Sequence, residues 1–180
     1  ALAEKYGVLI LEDNPYGELR FEGEYIPPIK SLDQKGLVLY CGSFSKILAP
    51  GMRLAYIIAD KALVEKLVTI KQCSDTHTNT WSQMVCDEWL RHSDTEAHIA
   101  AIRKVYERKC RLMLAEMDRQ FDPRIRYTRP SGGMFLWATL PDGVDMMSFV
   151  LEAQRRKVAV VPGSAFLCDE DGATQCFRLN

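Results

Sequence analysis

The sequence predicts an α/β fold, on two observations. Three short apolar runs, 8–11, 37–41 and 54–59, stand between loop segments in the first part of the chain. Runs of that length without polar alternation read as strands covered on both faces, the pattern of a sheet flanked by helices. A long amphipathic segment then leads into a second set of shorter strands with a single helix among them.

Taken in order, Gly7 precedes the strand at 8–11 and Gly36 the strand at 37–41. The strand at 54–59 ends at Asp60, a candidate N-cap for a helix carrying Leu63, Leu67 and Ile70. A further helix is expected over 81–90. Ser93-Asp94-Thr95-Glu96 has the form of a capping box, with Ser93 as the cap. After it, Ile99, Ile102, Tyr106, Cys110, Met113, Met117 and Phe121 recur at spacings of three and four, placing them on one face of a long helix that Asp122-Pro123 stops. That stripe reads as core packing, as do Trp81, Trp89 and Trp137; the three histidines are assigned no role. Strands at 125–128, 134–139, 158–161 and 176–179 and a helix at 145–156 complete the chain. The long helix suggests a boundary near residue 92, with 1–92 as one domain and 93–180 as the next. Ala1 to Tyr6 reads as the end of a helix and the last residues as a strand without a tail, so the sequence is expected to be a piece of a longer protein.

The 180 residues include 23 basic and 24 acidic side chains, for a net charge of -1. No basic patch stands out, so nucleic acid is not an expected partner. The apolar runs are too short to span a bilayer, so no membrane partner is expected either. Six scattered cysteines form no C-x-x-C pair, which favours free thiols in a reducing compartment; the expected location is cytoplasmic. Cys73 and His77 lack a second pair of ligands, and no metal site is read.

Two constellations carry chemistry. Glu12-Asp13-Asn14-Pro15-Tyr16 follows the first strand, and the C-terminal edge of such strands is where open α/β sheets bind ligands. The Asn14-Pro15 turn would bring Tyr16 back toward that edge. Ser43-Phe44-Ser45-Lys46 follows the second strand and leads to Pro50-Gly51-Met52-Arg53. Two hydroxyls, an amine and a forked guanidinium suit a phosphate joined to an aldehyde: Arg53 and the serines as phosphate donors, Lys46 as the nucleophile.

Together with Pro130-Ser131-Gly132-Gly133-Met134-Phe135, Val161-Pro162-Gly163-Ser164 and Phe177-Arg178-Leu179-Asn180, these motifs closely resemble, in the same order, the fold-type I (class I/II) aminotransferases. The resemblance covers essentially the whole chain. It implies the C-terminal part of the pyridoxal-phosphate-dependent transferase fold: part of the large-domain sheet in 1–92, then a connecting helix and small α+β domain in 93–180. It implies an enzyme that transfers an amino group between an amino acid and a 2-oxo acid. Lys46 would hold pyridoxal 5'-phosphate as an internal aldimine and then act as general base; Asp13 would pair with the pyridinium nitrogen, and Tyr16 would donate to the ring oxygen. Ser43, Ser45 and Arg53 would bind the phosphate, and Arg178 the substrate α-carboxylate. The family's phosphate loop, ring-stacking aromatic and ring-oxygen asparagine lie upstream of Asp13, so the chain alone is expected to be inactive and its parent a homodimer. The Asp13-Asn14-Pro15-Tyr16 form and the run Gly17-Glu18-Leu19-Arg20-Phe21 look most like the branch handling 2-aminoadipate, kynurenine, aromatic or other large amino acids. Two alternatives share the motifs: a related lyase, such as a C–S lyase, and the cofactor-sensing domain of a transcription regulator. Regulators of that kind usually lack the Pro-Tyr pair seen here at Pro15 and Tyr16.

Overall fold

The computed structural model describes residues 1–169 and 172–180. The chain divides into two compact units, Ala1–Lys104 and Val105–Asn180.

In the first unit a short helix α1 (Leu2–Tyr6) ends on Gly7, whose left-handed backbone (φ 62°) closes it. A three-stranded sheet follows: β1 (Ile10–Asp13), β2 (Val38–Ser43) and β3 (Ala55–Ile58), in that spatial order. β1 and β2 run parallel, with Asp13 opposite Cys41; β2 and β3 run antiparallel, with Ser43 opposite Ala55. A parallel neighbour needs a long crossover, and here two carboxylates tie that crossover down. Glu12 accepts from the backbone N–H groups of Ile29 and Lys30, both at 2.8 Å. Asp33 accepts from those of Lys35, Leu37 and Val38, and pairs with the Lys30 ammonium at 2.9 Å. The strand thus re-enters the sheet at a fixed register.

Helix α2 (Lys61–Ser74) is N-capped by Asp60, as the sequence predicts, through a 2.9 Å bond from the Ala62 N–H. Helix α3 (Thr80–His92) is capped in the same way by Asn79. Helix α4 (Thr95–Gln120) runs for 26 residues, and the division between the units falls within it. Its cap differs from the expectation. The side chain of Asp94, not Ser93, accepts from the Ala97 N–H at 2.9 Å. Asp94 directly precedes the first helical residue, where an acceptor reaches the free amides of the first turn and a negative charge suits the helix dipole.

The second unit contains the rest of α4, a four-stranded sheet and helix α5 (Met146–Arg155), capped by Asp145. The sheet is antiparallel, in the order β4 (Arg126–Tyr127), β5 (Leu136–Thr139), β7 (Cys176–Leu179), β6 (Val161–Pro162). Ala138, Leu140, Met146, Val150 and Phe177 form its core, with Phe149 stacked 4.9 Å from Phe177. On α4, Met117 is buried and the other stripe residues of this unit, Tyr106, Cys110 and Met113, are partly covered, as is Phe121 just past its end, while Leu112 on the other side is 64% exposed. The period read in the sequence therefore gives the covered face.

Two further expectations are corrected. The first strands are not covered on both faces within this chain: Val8 and Leu9 precede β1 and are about half exposed, Leu11 is 67% exposed, and every residue of β3 is exposed. Within these 180 residues their apolar side chains are not used for burial. Trp81 is likewise on the surface, at 72%, and not in a core; Trp89 and Trp137 are partly buried.

Candidate active site

Because β1 and β2 are parallel, their C-terminal ends share one edge of the first sheet. Asp13 is the last residue of β1 and Ser43 the last of β2, and β3 starts from the same edge, opposite Ser43, two residues after Arg53. Tyr16 follows the Asn14-Pro15 turn and precedes a single 3₁₀ turn, Gly17–Leu19. The turn is held over β2: the Asn14 N–H donates to the Cys41 carbonyl at 2.9 Å, and the Asn14 amide to the Tyr40 hydroxyl at 3.2 Å. Asp13, Tyr16, Ser43, Ser45, Lys46 and Arg53 therefore gather at one sheet edge.

Backbone bonds shape the loop that carries Lys46. The Phe44 N–H donates to the Leu54 carbonyl at 3.1 Å, pinching its base. The Phe44 carbonyl accepts from the N–H of Leu48 at 2.8 Å and of Ala49 at 3.2 Å, closing a helical turn around Lys46. The Ser43 hydroxyl accepts from the Ser45 N–H at 3.2 Å, and His98 Nε2 lies 2.8 Å from the Ile47 carbonyl. Among the described residues no hydrogen bond or ion pair holds the Lys46 amine, which is partly buried. Arg53 ends the 3₁₀ turn Pro50–Met52 in a left-handed conformation (φ 51°), which costs a non-glycine residue about 1–2 kcal/mol. Strain of this kind concentrates at functional sites. Among the described residues its guanidinium makes one hydrogen bond, to the Pro50 carbonyl at 3.3 Å.

The electrostatics around this edge follow from burial and from one carboxylate. Burial pushes the Cys41 thiol up, and the charge of Asp13 adds to it. Burial also raises the Tyr56 phenol, helped by Tyr40 beside it. Tyr56 lies across Gly42, where a Cβ would fall 2.2 Å from its ring, so glycine there makes room for the tyrosine.

Arg178 lies in the second unit, on β7, in register with Trp137 on β5 and Val161 on β6. Its guanidinium carbon is 4.1 Å from the centre of the Phe135 ring and 4.9 Å from that of Phe166, and Phe166 meets Trp137 edge-on at 5.4 Å. Aromatic faces attract a guanidinium without using its N–H groups. Its Nε is buried and has no partner among the described residues. A buried donor left unpaired is unfavourable by about 1–3 kcal/mol, a deficit that an anion would remove.

Sequence reasoning missed four groups. Phe135 lies within one of the motifs, yet nothing in its spacing assigns it to Arg178. Phe166 lies two residues after another, with the same silence. Neither Tyr40 nor His98 carries any local signal, because each acts through a partner far away in sequence.

The family model for aminotransferase class I and II matches residues 1–180. The chain is 42% identical to aromatic-amino-acid aminotransferase 1 of Thermococcus litoralis, over 99% of this chain and 43% of that protein. It superposes with a TM-score of 0.93 on the crystal structure of LysN, an α-aminoadipate aminotransferase from Thermus thermophilus complexed with N-(5'-phosphopyridoxyl)-L-leucine. That match has 36% identity and covers 99% of this chain and 46% of the other. The uncharacterized HTH-type transcriptional regulator YjiR of Escherichia coli is also similar, 33% identical over all of this chain and 38% of its own length. The chain thus spans less than half of the proteins it matches. By the family match along its whole length, it belongs to the class I and II aminotransferases.

Proposed function

We propose that this chain is the C-terminal part of a pyridoxal 5'-phosphate-dependent aminotransferase that moves an amino group between an amino acid and a 2-oxo acid. One observation carries the reading: the parallel β1–β2 pair brings a carboxylate, a phenol, two hydroxyls, a guanidinium and an unengaged amine to a single sheet edge. That donor set fits a phosphorylated pyridine aldehyde. Bound, the cofactor supplies an aldehyde that receives the amino group and a protonated ring that accepts the electron pair left when the α-proton departs. Lys46 would hold the cofactor through Nζ, and the same amine, once released, would serve as general base for the α-proton. Asp13 would pair with the ring nitrogen and favour its protonated form. Tyr16 would donate to the ring oxygen. Ser43, Ser45 and Arg53 would hold the phosphate. Arg178 grips the substrate α-carboxylate with paired N–H groups, a geometry that lysine cannot reproduce.

Residues 1–92 then belong to the large cofactor-binding domain, and 93–180 to the connecting helix and small domain. The parent works as a homodimer in the cytoplasm on 2-aminoadipate, kynurenine or aromatic amino acids, a range supported by the names of its relatives and by the run 17–21. The isolated chain, without the upstream ligands, is inert. The likeness to YjiR favours a second reading, a cofactor-sensing domain of a transcription regulator; the Pro15-Tyr16 pair supports the enzyme.

The test is borohydride reduction of the full-length protein with pyridoxal phosphate, followed by peptide mapping and an amino-transfer assay. The adduct is expected on Lys46 alone, and Lys46→Ala should lower transfer by about 10²–10⁴-fold. An adduct on Lys61 or Lys71 overturns the assignment; an adduct on Lys46 without any transfer selects the regulator.

A further inference from the structure

We propose that His98, in the first turns of α4, is a positioning residue for Lys46, holding the loop turn from which the amine projects. The proposal rests on the role given to Lys46 above.

The turn around Lys46 is closed at its start, where the Phe44 carbonyl accepts from Leu48 and Ala49. Carbonyls at the far end of so short a turn have no donor within it. For Ile47, the residue directly after Lys46, the imidazole of His98 supplies one at 2.8 Å. A carbonyl only accepts, so Nε2 carries the hydrogen, and the bond fixes which ring nitrogen is protonated. The ring is steadied by Trp89 of α3, with centroids 5.5 Å apart and planes at 78°, an edge-to-face arrangement. His98 and Trp89 belong to successive helices joined through Ser93 and Asp94, and the Asp94 cap fixes the start of the helix carrying the imidazole. Turning the ring away would break the hydrogen bond and the stacking together. The contact links residues 51 positions apart, whereas the other hydrogen bonds described for this loop lie between residues 43 and 54.

This matters because lysine projects its amine on a flexible four-carbon stem. The stem can deliver the amine to one reacting carbon only if its backbone origin is fixed, and small misplacements are expensive in rate. Among the described residues no hydrogen bond joins His98 to Lys46; His98 acts through the neighbouring carbonyl.

The experiment uses the full-length protein containing this chain, stripped of cofactor and mixed with pyridoxal phosphate. Three quantities are read: the rate at which a borohydride-reducible adduct appears on Lys46, kcat and KM for an amino-acid donor, and the thermal midpoint. His98→Phe keeps an aromatic ring against Trp89 and removes the donor; His98→Gln keeps a donor of similar reach. The Phe variant is expected to slow adduct formation and lower kcat, each by about tenfold, with KM and the midpoint near wild type. The Gln variant should recover most of both rates. Wild-type rates in His98→Phe overturn the proposal, as do equal losses in both variants with a lowered midpoint, which mark a packing role. If the Phe variant does not fold, His98→Asn, whose amide is too short to reach Ile47, takes its place against Gln; equal rates for Asn and Gln overturn the proposal. A wild-type protein that forms no adduct on Lys46 overturns the reading of Lys46 and this inference together. An adduct on Lys46 at rates indifferent to the His98 donor removes this inference alone.

Discussion

In Val105–Asn180 the sheet folds over its own core: Phe177 is 1% exposed and Ala138 fully covered, with α5 supplying apolar partners. In Ala1–Lys104 the three-stranded sheet leaves β3 uncovered and Leu11 of β1 two-thirds exposed, and its tightest order lies in polar clasps and loop turns. Yet this less covered unit carries all but one of the candidate site residues. Apolar side chains stabilise a sheet only where something covers them, whereas turns and carboxylate clasps form from local sequence. The unit Ala1–Lys104 therefore relies more on the hydrogen bonds of its crossover and loop turns, and Val105–Asn180 on burial away from its arginine.

The widest contrast should appear in stability. Phe177→Ala deletes a ring from the closed core and should cost about 3–5 kcal/mol. Leu11→Ala, equally apolar in sequence, removes an exposed side chain and should change stability by about 0.5 kcal/mol or less. Urea unfolding of the 180-residue chain measures both, and similar losses would erase the distinction between the units. In the full-length protein the Leu11 value should rise if further segments cover β1.

Arg178 tests whether the second unit contributes chemistry as well as a core. Arg178→Ala should lower kcat/KM for amino acids by an amount equivalent to about 2–5 kcal/mol, as for a charge-assisted pair out of water. Arg178→Lys should restore only part, since an ammonium is a point donor. Equal kcat/KM for wild type and the alanine variant across several amino acids would reduce Arg178 to a packing residue between Phe135 and Phe166.

A pH titration sharpens the account of the first unit. The Lys30 ammonium first, and then the Val38 N–H, hold the Asp33 carboxyl well below its ordinary value of 3.8. A carboxyl depressed in the folded state contributes stability that is fully present above its unfolded value and is lost as pH falls through the folded one. The chain should therefore lose stability on acidification below the ordinary carboxylate range, and Asp33→Asn should flatten that acid limb while lowering the plateau at neutral pH. Urea midpoints measured across the acid range give the answer; an unchanged slope would mean that the crossover clasp contributes nothing.

How much of this was legible follows from the distance over which each feature acts. The strand at 176–179 and the cap of α2 coincide with the sequence reading because their determinants are adjacent residues. The first strand is shifted: the apolar run at 8–11 marks residues suited to burial, while pairing with β2 begins at Ile10 and continues through the polar Glu12 and Asp13. The Glu12 clasp, the Tyr40 bond to Asn14 and the His98 bond to Ile47 join residues 17 to 51 positions apart and leave no periodic trace. The edge itself could be anticipated, since Asp13 and the Ser43-Phe44-Ser45-Lys46 run each end a strand. What supports those residues could not.

The smallest expected effect lies at the start of α4, the helix within which the chain divides. The sequence offers two acceptors in succession, Ser93 and Asp94, and the S-x-x-E pattern favours the first. In the structure the Asp94 carboxylate takes the Ala97 N–H at 2.9 Å, and Ser93 instead ends α3, its own N–H donating to the Trp89 carbonyl at 3.0 Å. Between helices this close, one residue must finish the first while the next begins the second. Only Asp94 immediately precedes helical backbone, so only its side chain meets the free amides. Asp94→Ala should cost about 1 kcal/mol, Asp94→Asn much less because the amide oxygen still accepts, and Ser93→Ala close to nothing. Because α4 also carries His98, the Asp94 loss should be accompanied by faster amide exchange in the first turn of α4, while exchange in the core strands β5 and β7 stays at its wild-type rate. If Ser93→Ala proved the more damaging change, the capping box would be the true cap and the helix would begin one residue earlier.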